Sequence, residues 1–142
     1  MKRDSIIYAA GLFDGEGCVE VYEHGQTRGQ GRRVKMDLTM GNTDFRLVKF
    51  MHDLFGGTII SKKPKKSHWS PSWVWRVSGE EAERCAILLA NHCIAKADQL
   101  QLFIILRETT QTGSGRTKFD EATGRYRSDL VEMIAESKRL PG

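Results

Sequence analysis

A chain of 142 residues, 39% hydrophobic and 28% charged, fits one packed domain with room for a tail. Its net charge of +4 permits a nucleic-acid partner without requiring one. No apolar run approaches the roughly 18 residues that span a bilayer, and the first residues meet acids too soon to read as a secretion signal. The three cysteines, Cys18, Cys85 and Cys93, form no CxxC pair and no Cys/His cluster, which argues against zinc and for free thiols in a reducing cytoplasm.

In chain order, residues 4–14 read as a short helix, with Asp4 or Ser5 as its cap and Gly15-Glu16-Gly17 as its stop. Residues 18–24 alternate apolar and polar like a half-buried strand. A glycine-rich turn from Gly25 to Gly31 follows, edged by Arg28, Arg32 and Arg33. Alternation resumes from Val34 to Met40, with Val34, Met36, Leu38 and Met40 on one face and Lys35, Asp37 and Thr39 on the other. Asn42-Thr43-Asp44 is a capping sequence. It opens a helix whose stripe is Phe45, Val48, Met51 and Leu54, and Gly56-Gly57 closes it.

Residues 58–61 form a third strand, Lys62, Lys63, Lys65 and Lys66 a basic hairpin tip, and residues 73–77 a fourth strand. Helices are expected at 80–93, 96–108 and 128–139, with a polar loop over 109–127. The order α-β-β-α-β-β-α-α-α, with four antiparallel strands and long helices, is an α+β sandwich. One sheet face packs on helices. The other carries Glu20, Tyr22, His24, Lys35, Asp37 and Thr39. Placing Trp73 and Trp75 in the core turns Arg76 to that polar face, and a slip of one residue would exchange the two faces. An open polar sheet flanked by basic tips suits the DNA major groove, which admits β-ribbons. A merely solvated face would read the same way.

Ala9-Ala10-Gly11-Leu12-Phe13-Asp14-Gly15-Glu16-Gly17 resembles the signature of the LAGLIDADG homing endonucleases. Ala9 replaces the first leucine, and Glu16 the final aspartate. The context agrees: the motif ends a helix and feeds a strand, and αββαββα over the first 105 or so residues is the family's core unit. The residues themselves point to a site as well. A glycine inside a helix costs about 1 kcal/mol, so Gly11 implies close approach to something. Asp14 and Glu16 stand at the negative end of the helix dipole, where acids cost roughly 0.3–1 kcal/mol each. Breaking a local rule twice in three residues marks a functional place.

The resemblance implies a core of residues 1–108 with a four-stranded antiparallel DNA-binding sheet, followed by a loop and C-terminal helix at 109–142. One motif per chain implies a homodimer joined through Ala10, Gly11 and Asp14, with the two Glu16 carboxylates near each other. It implies an intron-homing type of nuclease that hydrolyses both strands of a long, near-palindromic double-stranded DNA target and leaves a staggered break. Mg²⁺ is the expected ion and Mn²⁺ its substitute, held by the Glu16 side chain and the Gly15 carbonyl. Lys96, opening a helix three residues before Gln99, is the candidate supporting cation; a plain surface lysine is the alternative. Asp44 is either a helix cap, a solvent-ordering residue beside the metal, or both. Asp14 reads as a stabiliser of the motif turn rather than a ligand.

Glu20, Tyr22, His24, Lys35, Asp37 and Thr39 are the candidates for base contacts, and Arg76 is a DNA-binding candidate on the same side. Arg28, Arg32, Arg33, Lys62, Lys63, Lys65 and Lys66 suit phosphates, which position a protein without reading sequence. A strand of eight residues spans about 27 Å, or about eight base pairs, so two half-sites make a target near 16–20 base pairs. The main rival is a non-cleaving DNA- or RNA-binding protein, a maturase or regulator, on the same scaffold. A second is an unrelated basic α+β protein, which would be monomeric. Arg116, Lys118, Arg125 and Arg127 give the tail a possible phosphate contact, and no intein splicing residues flank the domain.

Overall fold

The computed structural model describes residues 2–24, 33–66, 68, 70–110 and 121–139. The elements run α1 (Arg3–Glu16), β1 (Gly17–His24), β2 (Arg33–Asn42), α2 (Phe45–Phe55), β3 (Thr58–Lys62), β4 (Ser72–Ser78), α3 (Gly79–Ala90), α4 (Ala97–Thr110) and α5 (Glu121–Arg139). This is the expected α+β order. The turn expected at Gly25–Gly31, with Arg28 and Arg32, lies outside the described residues, as do Arg116 and Lys118.

Several boundaries differ from expectation, among them the end of α3, at Ala90 rather than 93. Helix α1 does not stop at Gly15 but continues through Glu16, and Gly17 opens β1. Neither Asp4 nor Ser5 caps it. Lys2 holds the cap position without a side-chain bond, and Asp4 lies inside the first turn, where the positive end of the dipole favours an acid. Helix α4 runs on to Thr110, and α5 begins at Glu121, so residues 121–127 are helical rather than loop. Polar composition hid that start because this stretch has few apolar residues to set a period.

The sheet order is β1-β2-β4-β3, and every neighbouring pair is antiparallel. The strand alternation becomes two faces. Val19, Leu38, Met40, Trp75 and Val77 are buried against the helices. They pack with Ala9, Ala10 and Phe13 of α1, Val48 and Met51 of α2, Ala82, Cys85, Ala86 and Leu89 of α3, and Leu100, Phe103 and Leu106 of α4. Burial of a side chain such as Phe13 contributes about 1.5–3 kcal/mol.

Trp75 is fully buried, and its indole N–H donates to the Gly56 carbonyl at 2.8 Å. Gly56 is the α2 cap, at φ +80°, and its N–H returns to the His52 carbonyl at 2.8 Å. The two tryptophans therefore face the core side. Trp73 is half-buried and meets the Phe45 ring edge-on at 5.3 Å, and Arg76 points to the opposite face.

Helix α5 covers the outer edge of β1. The Lys138 ammonium donates to the Val19 carbonyl, and the Ser128 hydroxyl donates to the Glu23 carboxylate at 3.1 Å. Leu130 and Ile134 join the core, and the Arg127 guanidinium, buried, donates to the Thr109 hydroxyl and carbonyl at the end of α4. An edge strand left open is a template for unwanted pairing; here a helix occupies it. Among the described residues no helix is long and apolar enough to cross a membrane.

Candidate active site and recognition face

The site forms where α1 becomes β1. Gly17 makes that junction possible: a Cβ at this position would overlap the Phe13 ring, and the Gly17 N–H bonds the Phe13 carbonyl. The chain turns from helix to strand against the aromatic ring, which leaves Glu16 exposed at the corner. Among the described residues the Glu16 carboxylate has no hydrogen-bond or ion-pair partner.

Asp14 behaves differently. Its carboxylate accepts the backbone N–H of Ile94 at 2.8 Å and of Lys96 at 3.0 Å, tying the α3–α4 connection to the end of α1. The Lys96 ammonium donates to the Asp14 carbonyl at 3.4 Å. No basic residue lies in the last turn of α1 itself. Lys96, eighty-two residues away in sequence, supplies the positive charge that the dipole favours there. The two acids that break the same local rule thus have different fates. One is satisfied by a neighbouring loop, and the other stays open.

Cys93 lies in the same connection, its thiol donating to the Ala10 carbonyl at 3.4 Å. Burial, with the Asp14 carboxylate alongside, pushes this thiol up to about 12. Cys85 is likewise pushed up by burial. Neither is a nucleophile at neutral pH.

Asp44 caps α2, as its sequence context suggests. Its carboxylate accepts the Arg46 N–H at 3.0 Å and the Arg46 guanidinium at 2.7 and 3.0 Å. The Arg46 hydrogen bonds hold Asp44 below the usual carboxylate range. Both oxygens are engaged in this way. Sequence reading missed Arg46; its signal is the two-residue spacing from the cap, which lets a guanidinium fold back onto the carboxylate.

Ala10 is buried inside the chain's own core at 1% exposure. This corrects its expected place on a face meeting a second copy. The outward side of α1 instead carries Ile7, Tyr8, Gly11 and Gly15, all exposed, and nothing lies within 4 Å of a Cβ added at Gly11 or Gly15. Asp14, half-buried, is committed to the α3–α4 connection.

The polar sheet face is a set of rows leading away from Glu16. Gly41, Val74 and Ile60 form the row nearest the motif. Cys18, Thr39, Arg76 and Thr58 come next, then Glu20, Asp37 and Ser78, then Tyr22 and Lys35, and last the positions of His24 and Arg33. The centre is a charge network. Arg76 reaches Asp37 at 3.4 Å and Glu20 at 3.5 Å. The Ser78 hydroxyl donates to Asp37 at 2.6 Å, and the Thr39 hydroxyl to Glu20 at 3.2 Å. The Lys35 ammonium is 4.0 Å from Asp37 and 5.7 Å from the centre of the Tyr22 ring.

Asp37 and Thr39 have the expected face but not the expected reach. At 2% and 5% exposure they lie beneath the surface, so they hold Arg76 and Glu20 in place rather than project to a base edge. Tyr22 is exposed, Glu20, Lys35 and Arg76 are half-buried, and Lys62, Lys63, Lys65 and Lys66 are exposed on the β3–β4 connection. The side chains of His24 and Arg33 lie outside the described residues.

The donor set at the corner suits a hard cation: an open carboxylate beside the carbonyls that end a helix, which have no intrahelical partner. Among the described residues no cluster of three or more acidic, histidine or cysteine side chains forms within one chain.

No family model and no curated protein sequence matches the chain. Solved structures do. The homing endonuclease I-CvuI in complex with DNA aligns over 93% of this chain and 80% of its own, with 15% identity and a TM-score of 0.73. The archaeal intron-encoded homing endonuclease I-Vdi141I, complexed with DNA, aligns over 94% and 84%, with 15% identity and a TM-score of 0.76. I-SmaMI, a LAGLIDADG homing endonuclease bound to cleaved DNA, aligns over 92% of this chain but 42% of its own, with 19% identity and a TM-score of 0.67. I-CvuI is known with DNA in the presence of Mg and of Ca. The chain has the fold of the LAGLIDADG homing endonucleases.

Proposed function

We propose that this chain is a site-specific DNA endonuclease of the LAGLIDADG type. It acts as a homodimer, with Mg²⁺ or in its place Mn²⁺, and makes a staggered double-strand break in a long, near-palindromic target. The observation that carries this reading is Glu16: an open carboxylate at the helix-to-strand corner, at one end of a polar sheet, with Lys96 drawn to the same helix terminus. A solvated sheet face alone would not call for either. The homing endonucleases of the same fold, described in complex with DNA, support the partner.

In this reading the exposed side of α1, with Ile7, Tyr8, Gly11 and Gly15, packs against its copy. The pairing brings two Glu16 carboxylates together over the DNA. Like charges at close range repel, and Glu16 with the Gly15 carbonyl would hold the divalent ion that relieves this. When bound, such an ion polarises the scissile phosphate and lowers the pKa of bound water. Lys96 places its ammonium where negative charge grows on the phosphate oxygens. Asp14 orients Lys96 by fixing the backbone on which it stands. Asp44 serves as the cap of α2, with both carboxylate oxygens held by Arg46. The sheet lies in the major groove, and Lys62, Lys63, Lys65, Lys66 and the arginines of the β1–β2 connection meet phosphates.

The test is cleavage of a randomised duplex library by the purified protein, with Mg²⁺ against EDTA, reading the cut ends. Metal-dependent staggered cuts at one near-palindromic site are expected. Glu16→Gln is expected to abolish cutting while DNA affinity stays within several-fold. Tight, selective binding without cutting in Mg²⁺ or Mn²⁺ would hand the case to a non-cleaving DNA-binding protein on this scaffold.

A further inference from the structure

We infer that Arg76 is a base-reading residue of each half-site, selecting guanine, and that the buried Asp37 is the positioning residue that aims it. The inference rests on the reading that the polar sheet face lies on DNA, and it adds which residue discriminates sequence there. Arg76 stands on β4, an interior strand of the sheet, in the second row out from the motif. Its side chain is 33% exposed. The Asp37 side chain, at 3% exposure, cannot reach a ligand itself. A carboxylate so buried is costly unless paired, and its cationic neighbours among the described residues are Arg76 at 3.4 Å and Lys35 at 4.0 Å.

The geometry grips the guanidinium without saturating it. Its contacts to Asp37 and Glu20, 3.4 and 3.5 Å, exceed the 2.7–2.9 Å typical of a charge-assisted bond. Its Nε is buried with no acceptor, and the Asp37 oxygen that lies 3.4 Å from the guanidinium, Oδ2, is buried without a hydrogen-bonded donor. With Nε buried, the two terminal nitrogens carry the four remaining N–H donors; one on each is loosely committed, and the other pair leaves a fork for one further planar acceptor pair. In the major groove that pair is O6 and N7 of guanine.

The flanking charges decide between a base and a phosphate. Two carboxylates neutralise Arg76 and would repel a phosphate, whereas the anionic Glu20 matches the amino group of the paired cytosine. Two rows away and beyond, the exposed Lys62, Lys63 and Lys65 have no such neutralising pair among the described residues. They are the phosphate-type cations; Arg76 is of the other kind.

The experiment is a binding selection from a randomised duplex library in EDTA, using the full chain, followed by position-resolved preferences and a salt titration of affinity. Wild type is expected to prefer guanine at one pair of symmetry-related positions. Arg76→Ala and Arg76→Lys should each lose that preference by about five- to one-hundred-fold, leaving other positions and the salt slope unchanged. Asp37→Asn should broaden preference at the same positions only. Ser78→Ala, which removes a hydrogen bond to Asp37 from an exposed hydroxyl, should do so more weakly and guards against a fold defect in the first variant. A uniform loss of affinity in Arg76→Ala with a salt slope lower by about one would make Arg76 a phosphate contact and overturn the inference. So would an unchanged preference in Asp37→Asn and Ser78→Ala together. If wild type selects no sequence at all, the DNA-recognition reading itself fails, a result distinct from either.

Discussion

At the motif, single atoms decide the outcome. Gly17 is needed for room rather than for a special backbone angle, since its φ is −82° and the Phe13 ring fills the space a side chain would take. Gly17→Ala is therefore expected to destabilise the fold by about 1–3 kcal/mol, the usual cost of overpacking, as read by urea denaturation. Adding Phe13→Leu to that variant should recover part of the loss; no recovery would mean that the clash is not the cause.

The thiols provide a second check at this scale. At pH 8 burial keeps Cys85 and Cys93 protonated and shielded, whereas Cys18 is half-exposed. Alkylation of the native protein should modify Cys18 first, with Cys85 and Cys93 reacting only in denaturant. Early labelling of Cys93 would show that the α3–α4 connection opens readily. The motif residues themselves were legible through their resemblance to the family signature and their helix-to-strand context. The division of labour between Asp14 and Glu16 needed the partners of Asp14, which lie eighty residues on in the chain.

Among the elements, α5 was the least legible, and it covers the edge of β1. Apolar periodicity identifies its second half through Leu130, Met133 and Ile134, but its first half is polar and carries no such signal. Nothing local announces that it covers the edge of β1. Ile134 is 1% exposed, so Ile134→Ala should cost about 2–5 kcal/mol, measured as a shift in the denaturation midpoint. A loss below 0.5 kcal/mol, the scale of ordinary surface substitutions, would mean that α5 is docked only loosely. Helix α2 was the most legible element. A capping sequence opens it, paired glycines end it, and both ends are found as expected because each is made by residues adjacent in the chain.

For the molecule as a whole, the open question is assembly, and Gly11 addresses it. In the single chain Gly11 faces outward with nothing within 4 Å of an added Cβ. Gly11→Ala should then stabilise the helix by about 1 kcal/mol. If α1 pairs with its copy, the same change, and more so Gly11→Leu, should weaken the dimer. Sedimentation equilibrium should find wild type at twice the 16.1 kDa chain mass and Gly11→Leu shifted toward the monomer with its thermal stability kept. Wild type sedimenting as a monomer, or Gly11→Leu remaining fully dimeric, would remove α1 as the joining surface.

The amino-acid order alone determined the elements, the two faces of the strands, the motif and its acids. Helix and strand periods, caps and turn glycines act between residues a few positions apart, so they can be read without coordinates. Only the tertiary structure decided which polar residues are free to act. It buried Asp37 and Thr39 beneath the face they were expected to present, turned Ala10 inward, engaged both oxygens of Asp44 with Arg46, and brought Lys96 to the end of α1. Each outcome depends on which neighbours share the space around a side chain. Alternation along a strand fixes its direction, whereas its depth is set by strands and helices that arrive from elsewhere in the chain.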